Sequence, residues 1–170
     1  MEIIISDTNV LIDLSDVDLL ESCKLLDISF QTVDFVINEI TDDAQSQAVQ
    51  RLINSGFLKI NSFSNTDMLD LFKYFSTIGD VSNLSLTDCA VLLFAKSIGG
   101  RLLTGDKALK NKAIQEGVDV SGILYLIDMM VDNKVVEKTN MADYLEKLLK
   151  INSRLPKSLI LERIESYRNY

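Results

Sequence analysis

The chain contains no histidine. That absence removes Ser-His-Asp and Cys-His catalysis, and with them every zinc motif that needs an imidazole. Acid–base chemistry must then fall to carboxylates, lysines, tyrosines or a metal-bound water. Cysteine is nearly as scarce. Cys23 and Cys89 stand alone without a CxxC spacing, which points to a reducing compartment and away from a zinc site. Long apolar runs are missing too, since none approaches the roughly 18 residues that span a bilayer. The N-terminus carries Glu2 instead of a basic cluster, ahead of an apolar run of three residues. No signal peptide and no membrane association are expected, and a cytoplasmic location is. There is one proline, Pro156, and it lies near the C-terminal end between two apolar-periodic segments.

What is present fits a single packed domain with an appendage: 170 residues, 47% apolar and 25% charged. The net charge of −8 argues against indiscriminate nucleic-acid binding, which draws on Lys and Arg. The charge is uneven, however. Residues 134–170 hold eight Lys/Arg against five Asp/Glu, while the rest of the chain is strongly acidic. A basic tail on an acidic body suits a polyanion lying across a metal-filled acidic cleft, and it equally suits ordinary surface variation.

Ile3, Ile4 and Ile5 predict a strand buried on both faces, as at the centre of a parallel sheet. Further strands are predicted at Thr32–Val36, Phe57–Phe63, Leu102–Thr104 and Val118–Val120. Between them fall helical patterns at Val10–Leu14, Val17–Leu26, Ala44–Asn54, Asn65–Phe75, Cys89–Ile98 and Lys107–Glu116, with Thr77–Asn83 read as a polar loop. Ser85 and Asp88 have the form of a capping box ahead of the helix at Cys89. Alternating strands and helices indicate an α/β fold with a parallel sheet. From Gly122 the pattern is wholly helical, over Ile123–Val131, Met141–Ile151 and Leu159–Tyr167. The predicted organisation is a sheet domain over residues 1–121, with a helical C-terminal extension over 122–170 packed on it.

Four acids stand in similar places. Asp7 ends the first strand, Glu39 follows the second, Asp88 opens the helix before Leu102, and Asp106 follows the strand at Leu102–Thr104. In a parallel sheet all four gather at the carboxyl edge, where open α/β sheets bind ligands. Asp7, Asp88 and Asp106 also read as helix caps worth about 0.5–2 kcal/mol each, and Glu39 as a solvated helix residue. Clustered carboxylates raise one another's pKa, and a bound Mg²⁺ or Mn²⁺ removes that cost with oxygen ligands. Lys107, Lys110 and Lys112 follow Asp106 closely, either as phosphate contacts or as a solvated helix face.

The ordered set Ser6-Asp7-Thr8-Asn9-Val10-Leu11-Ile12, Val36-Ile37-Asn38-Glu39-Ile40, Thr87-Asp88-Cys89-Ala90-Val91 and Leu103-Thr104-Gly105-Asp106-Lys107-Ala108-Leu109 resembles the motifs of the PIN domain family. These are metal-dependent nucleases whose most numerous bacterial members are VapC-type toxins. The resemblance covers residues 1 to about 120. The part from Gly122 onward, including Leu155-Pro156-Lys157-Ser158, is similar to a PIN-like subgroup described as predicted nucleic-acid-binding proteins. The resemblance implies a three-layer fold with about five parallel strands flanked by helices. It implies that Asp7, Glu39, Asp88 and Asp106 surround Mg²⁺ or Mn²⁺ as catalytic and metal-holding residues. Asn9 and Thr104 would steady the carboxylates by hydrogen bonds, and Lys107 and Lys110 would contact phosphate. The implied activity is that of an endoribonuclease acting as the toxin of a type II toxin–antitoxin pair. Its expected partners are an RNA substrate, a small antitoxin protein and a second copy in a homodimer. Two other readings compete. One is a PIN-like module that binds RNA or protein without cutting. The other is a receiver-type phosphoacceptor domain, which wants two adjacent acids after the first strand and a lysine after the last; here Ser6 precedes Asp7 and Val118–Ser121 has no lysine.

Overall fold

A computed structural model describes residues 1–169, without the side chains at positions 79 and 80. The first strand, β1 (Glu2–Ser6), runs straight into helix α1 (Thr8–Asp16), and a 3₁₀ turn at Glu21–Leu25 leads to β2 (Ile28–Val33). Then come α2 (Asp34–Glu39), α3 (Asp43–Asn54), β3 (Leu58–Asn61), α4 (Asn65–Ser82) and α5 (Leu86–Ile98). The remainder is β4 (Arg101–Leu103), α6 (Lys107–Gln115), β5 (Val120–Ser121), α7 (Ile123–Asp132), α8 (Lys138–Ile151) and α9 (Lys157–Arg168).

All five strands are parallel, in the order β3-β2-β1-β4-β5. β1 is therefore the centre, with Ile4 opposite Phe30 on one side and Arg101 on the other. Ile4, Ile5, Phe30, Leu102 and Leu103 are fully buried, as strands covered by helices on both faces must be. The chain builds outward from β1 to β3, then returns through α4 and α5 to build the other side. Strand order thus reverses beside β1, and the carboxyl ends of β1 and β4 flank the crevice that this creates.

The return is tight. Gly99 closes α5 in the left-handed conformation at φ 64°. At Gly100 a β-carbon would lie 2.1 Å from Ile5 Cδ1 and 3.0 Å from Ile3 Cγ2, so only glycine lets β4 enter beside β1.

The C-terminal helices share the same core. Leu126, Ile127, Met130, Met141, Leu145, Leu148 and Ile160 are fully or almost fully buried within it. α7 and α8 pack on α1, and α9 packs on α8. Ion pairs from Lys147 to Asp18 and from Arg163 to Asp128 add surface ties. Leu159 and Leu161, by contrast, remain about half exposed.

Three predicted elements are corrected. The second strand is Ile28–Val33 instead of Thr32–Val36. The β-branched run continues to Val36, but the Asp34 carboxylate accepts the Phe35 amide at 2.9 Å and the chain turns into α2. Residues 77–82, read as a loop, continue α4. The Ser76 and Thr77 hydroxyls donate back to the Phe72 and Lys73 carbonyls, so the polar residues at the start of the segment are accommodated inside the helix. The helix stops at Asn83, which takes φ 54°. The last strand is Val120–Ser121 instead of Val118–Val120, because the Val118 amide is already donated to the Ala113 carbonyl at 2.9 Å.

Candidate active site

At the carboxyl edge of the sheet the charge of Asp88 reaches Asp7, and those of Asp106 and Glu39 reach Asp88. Asp7 is the residue between β1 and α1, with its amide bonded to the Leu103 carbonyl of the neighbouring strand. It caps α1 only loosely, through a 3.4 Å contact from the Asn9 amide to Oδ1. Its other oxygen, Oδ2, accepts the Thr104 hydroxyl at 2.6 Å. That hydroxyl oxygen in turn accepts the Asp106 amide at 3.0 Å. One buried threonine therefore ties the end of β1 to the turn after β4. On the other side, the Thr32 hydroxyl donates to the Ser6 carbonyl at 2.8 Å and locks the end of β2 to β1.

The remaining acids sit on helix ends around this point. Asp88 closes the capping box of α5. Its Oδ2 accepts the Ser85 amide at 2.7 Å, and its own amide bonds Ser85 Oγ at 3.0 Å. Asp106 caps α6 through Oδ1, which accepts the Leu109 amide at 2.8 Å. Glu39, the last residue of α2, is exposed, and its Oε2 accepts the Thr8 hydroxyl at 2.6 Å. The capping and site readings of these acids are thus compatible. One oxygen makes the cap, while Asp88 Oδ1 and Asp106 Oδ2 accept no hydrogen bond among the described residues.

The electrostatics are uncompensated. None of the four carboxylates forms an ion pair among the described residues. Burial pushes the Asp7 carboxyl up to about 6, with the Thr104 hydrogen bond opposing and the nearby Asp88 charge adding to the rise. Asp88 is likewise raised by burial, and its Ser85 bonds oppose that rise while the charges of Asp106 and Glu39 add to it.

Of the two residues expected to steady the carboxylates, Thr104 bonds Asp7 directly. Asn9 is exposed and contributes only its amide. Lys107 and Lys110 are exposed on the first turn of α6 and line a cavity beside Asp106. Sequence reasoning passed over Thr8, although it sits inside the Asp7-Thr8-Asn9 motif and its hydroxyl holds Glu39. It also passed over Asp13, where Asn152 donates to both oxygens at 2.9 and 3.1 Å. A contact between residues so far apart in the chain leaves no local signature.

As donors, the four acids fit a hard divalent ion: all oxygen, no imidazole, no thiolate. They do not form a closed cage, since among the described residues no three acid or cysteine side chains are drawn together as a ready metal site.

The sequence model of the DUF3368 family, described as a PIN domain, matches residues 3–169. The chain belongs to the PIN domain family. The match runs through β1 to α9, so the C-terminal helices fall within it. A PIN domain is typically a nuclease fold that uses divalent metal ions. Among solved structures, one similar protein is a PilT N-terminus domain protein from the hyperthermophilic archaeon Sulfolobus solfataricus, 15% identical, with 77% of this chain and 92% of that one covered and a TM-score of 0.43. Another is a domain of a functionally unknown protein from Methanocaldococcus jannaschii, 20% identical, covering 72% and 91% with a TM-score of 0.47. No curated protein matches the chain. Among the described residues no helix is long and apolar enough to cross a membrane.

Proposed function

We propose that this PIN domain is a metal-dependent endoribonuclease, and that Asp7, Glu39, Asp88 and Asp106 hold Mg²⁺ or Mn²⁺ at the crevice beside β1. The observation that carries the reading is the buried Asp7 carboxylate, which feels the charge of Asp88, with no ion pair to either among the described residues. Burying an unpaired charge is costly, and whereas buried Asp13 has both oxygens held by Asn152, Asp7 has one hydroxyl and an acidic neighbour. When bound, such an ion activates water for attack on the phosphodiester and offsets the charge that develops on the leaving oxygen.

The chain's own residues bind and orient. Thr104 fixes the Asp7 carboxylate and, through the Asp106 amide, the start of α6. Ser85 holds one oxygen of Asp88, and the other accepts no hydrogen bond among the described residues. Thr8 holds Glu39, which would complete the shell directly or through water. The chain has no histidine to serve as a general base, so the carboxylates carry the site's charge.

The reading extends to partners. A small antitoxin would silence the site with an arginine, whose planar fork can take two carboxylate oxygens at once. The protein would then be the toxin of the pair, with a homodimer as its assembly. RNA cleavage in Mn²⁺ or Mg²⁺, with EDTA and with Asp7→Asn and Asp106→Asn proteins as controls, tests the enzyme. Equal cleavage by parent and Asp7→Asn in Mn²⁺ would sink the mechanism and favour the non-cutting module. An antitoxin whose affinity ignores salt, metal and the Asp7 carboxylate would sink the partner reading.

A further inference from the structure

Two cavities run together beside the carboxylates. One, of about 290 Å³, opens at Asn9 and Asp106 and reaches Arg154. The other, of about 550 Å³, continues past Lys110 to Leu159. Lys107, Arg154 and Leu155 line both, so they form one groove. Its far bank is the turn between α8 and α9, which the motifs of the site do not touch.

Three cations of this acidic protein line the groove together with Arg163. Lys107, Lys110 and Arg154 form no ion pair among the described residues, whereas Lys96, Arg101, Lys112 and Arg163 all do. Lys107 and Lys110 are three residues apart on α6, which puts them on the same helix face. Besides Asp106, two acids line the groove, Asp13 and Asp128, and the charge of Arg154 acts on Asp13. Arg163 and Tyr167 hold Asp128, and Asn152 holds Asp13. Asn152 does more than satisfy Asp13. Its Oδ1 accepts the Arg154 amide at 3.0 Å, so the Asp13–Asn152 contact pins the turn that carries Arg154 against α1. Leu155, Pro156 and the half-exposed Leu159 provide an apolar wall beside these cations.

We propose that this groove carries a single RNA strand away from the carboxylates, with backbone phosphates on Lys107, Lys110 and Arg154 and base faces against Leu155, Pro156 and Leu159. The choice of RNA rests on the nuclease reading above. Asn152 is a positioning residue that acts through Arg154.

The test is binding of a labelled single-stranded RNA of mixed sequence to the full chain in EDTA, where cleavage is off, over a series of salt concentrations. Each phosphate contact on a single strand contributes about 0.7 to the slope of log affinity against log salt. Arg154→Ala should weaken binding and flatten the slope by about 0.7, and the Lys107→Ala/Lys110→Ala/Arg154→Ala protein by about 2. Asn152→Ala removes no charge, yet it should flatten the slope as Arg154→Ala does, and adding it to Arg154→Ala should change nothing further. Arg154→Lys should keep the slope, and Lys59→Ala, outside the groove, should match the parent. A single-stranded DNA arm with the same slopes would confirm that the backbone is the ligand. Three results would overturn the groove: no binding by the parent, a triple variant with the parental slope, or preference for a duplex over a single strand. The two readings fail separately. A parent that binds through these residues but never cuts in Mn²⁺ loses the nuclease and keeps the groove. A parent that cuts, with a triple variant that binds unchanged, keeps the nuclease and loses the groove.

Discussion

Two carboxylates in this protein, Glu116 and Asp7, each stand at the centre of a polar cluster and are treated in opposite ways. Glu116, at the end of α6, joins three helices. It accepts hydrogen bonds from Tyr74 of α4 and Lys96 of α5, and it pairs with Lys112 at 3.1 Å. Burial alone would raise its carboxyl, but Lys96, Tyr74 and Lys112 bring it down to about 2. Asp7 is more deeply buried, yet it has one hydroxyl, a distant amide and an acidic neighbour, and it rises to about 6. Glu116 is surrounded by cations, whereas buried Asp13 is held by the Asn152 amide group without an ion pair among the described residues. At the carboxyl edge of β1 no cation pairs with Asp7 among the described residues, and it is on this contrast that the proposed metal site rests.

The sharpest break between the clusters should be in activity. Asp7→Asn keeps shape and capping ability, since Asn is as good an N-cap as Asp. RNA cleavage should nevertheless fall by about a hundredfold or more, the scale for loss of one electrostatic stabiliser. Glu116→Gln should cleave at the parental rate. Rates measured side by side in Mn²⁺ check both, and equal losses would erase the distinction between the clusters.

Stability should move the other way. The Asp7 carboxyl is raised on folding, so the folded state holds its proton more tightly. Stability in EDTA therefore falls as pH rises from about 4 through about 6, by roughly 3 kcal/mol in all. Asp7→Asn escapes that loss and should be more stable than the parent at neutral pH by about 1–3 kcal/mol, with the advantage vanishing as pH falls toward 4. Glu116 is depressed on folding, so its contribution is full above about 4.5 and is lost as pH falls through about 2. Glu116→Gln should cost about 1–2 kcal/mol at neutral pH by leaving Lys96 and Lys112 without their partner. Urea denaturation at several pH values resolves the opposite signs.

Metal should act on one cluster alone. An ion at a hundred times its dissociation constant stabilises the folded state by about 2.7 kcal/mol, several degrees for a domain of this size. Thermal melts with Mn²⁺ against EDTA should show that shift in the parent and in Glu116→Gln, and lose most of it in Asp7→Asn. A parent whose melting temperature ignores millimolar Mn²⁺ would count against a formed site.

The contrast also explains what was legible in the sequence. The parallel sheet was readable because Ile3–Ile5 and Leu102–Leu103 are short apolar runs between helical patterns, and the helices end on Gly99 and Gly117. Asp7, Asp88 and Asp106 were readable because each follows a strand or opens a helix, a local property, whereas Glu39 was read as following the second strand and in fact ends α2. The Glu116 cluster was not, since Tyr74, Lys96 and Glu116 meet only through tertiary packing. Asn152 and Asp13 were hidden for the same reason. The misread segments at Thr32–Val36 and residues 77–82 failed where one side-chain oxygen decided the outcome: Asp34 turning the chain, and Ser76 and Thr77 bonding backward.

The finest test separates the two threonines that serve the acidic edge. Thr104 is buried and is a hydroxyl donor to a buried carboxylate, while the same oxygen also fixes the Asp106 amide. Thr104→Val keeps the shape but removes both bonds, and loss of an outer-sphere partner of this kind costs about 10–100-fold in metal affinity. Thr8 makes a bond of the same 2.6 Å length, but to Glu39, which is exposed and can exchange that hydroxyl for water. Thr8→Val should therefore lower Mn²⁺ affinity by less than tenfold, the equivalent of one ordinary hydrogen bond of about 0.5–1.5 kcal/mol. Isothermal titration of Mn²⁺ into the three proteins reads the difference directly. Equal losses at both positions would mean that Glu39 is held as firmly as Asp7 and is as central to the ion. No loss at Thr104 would mean that the buried bond serves the sheet edge alone.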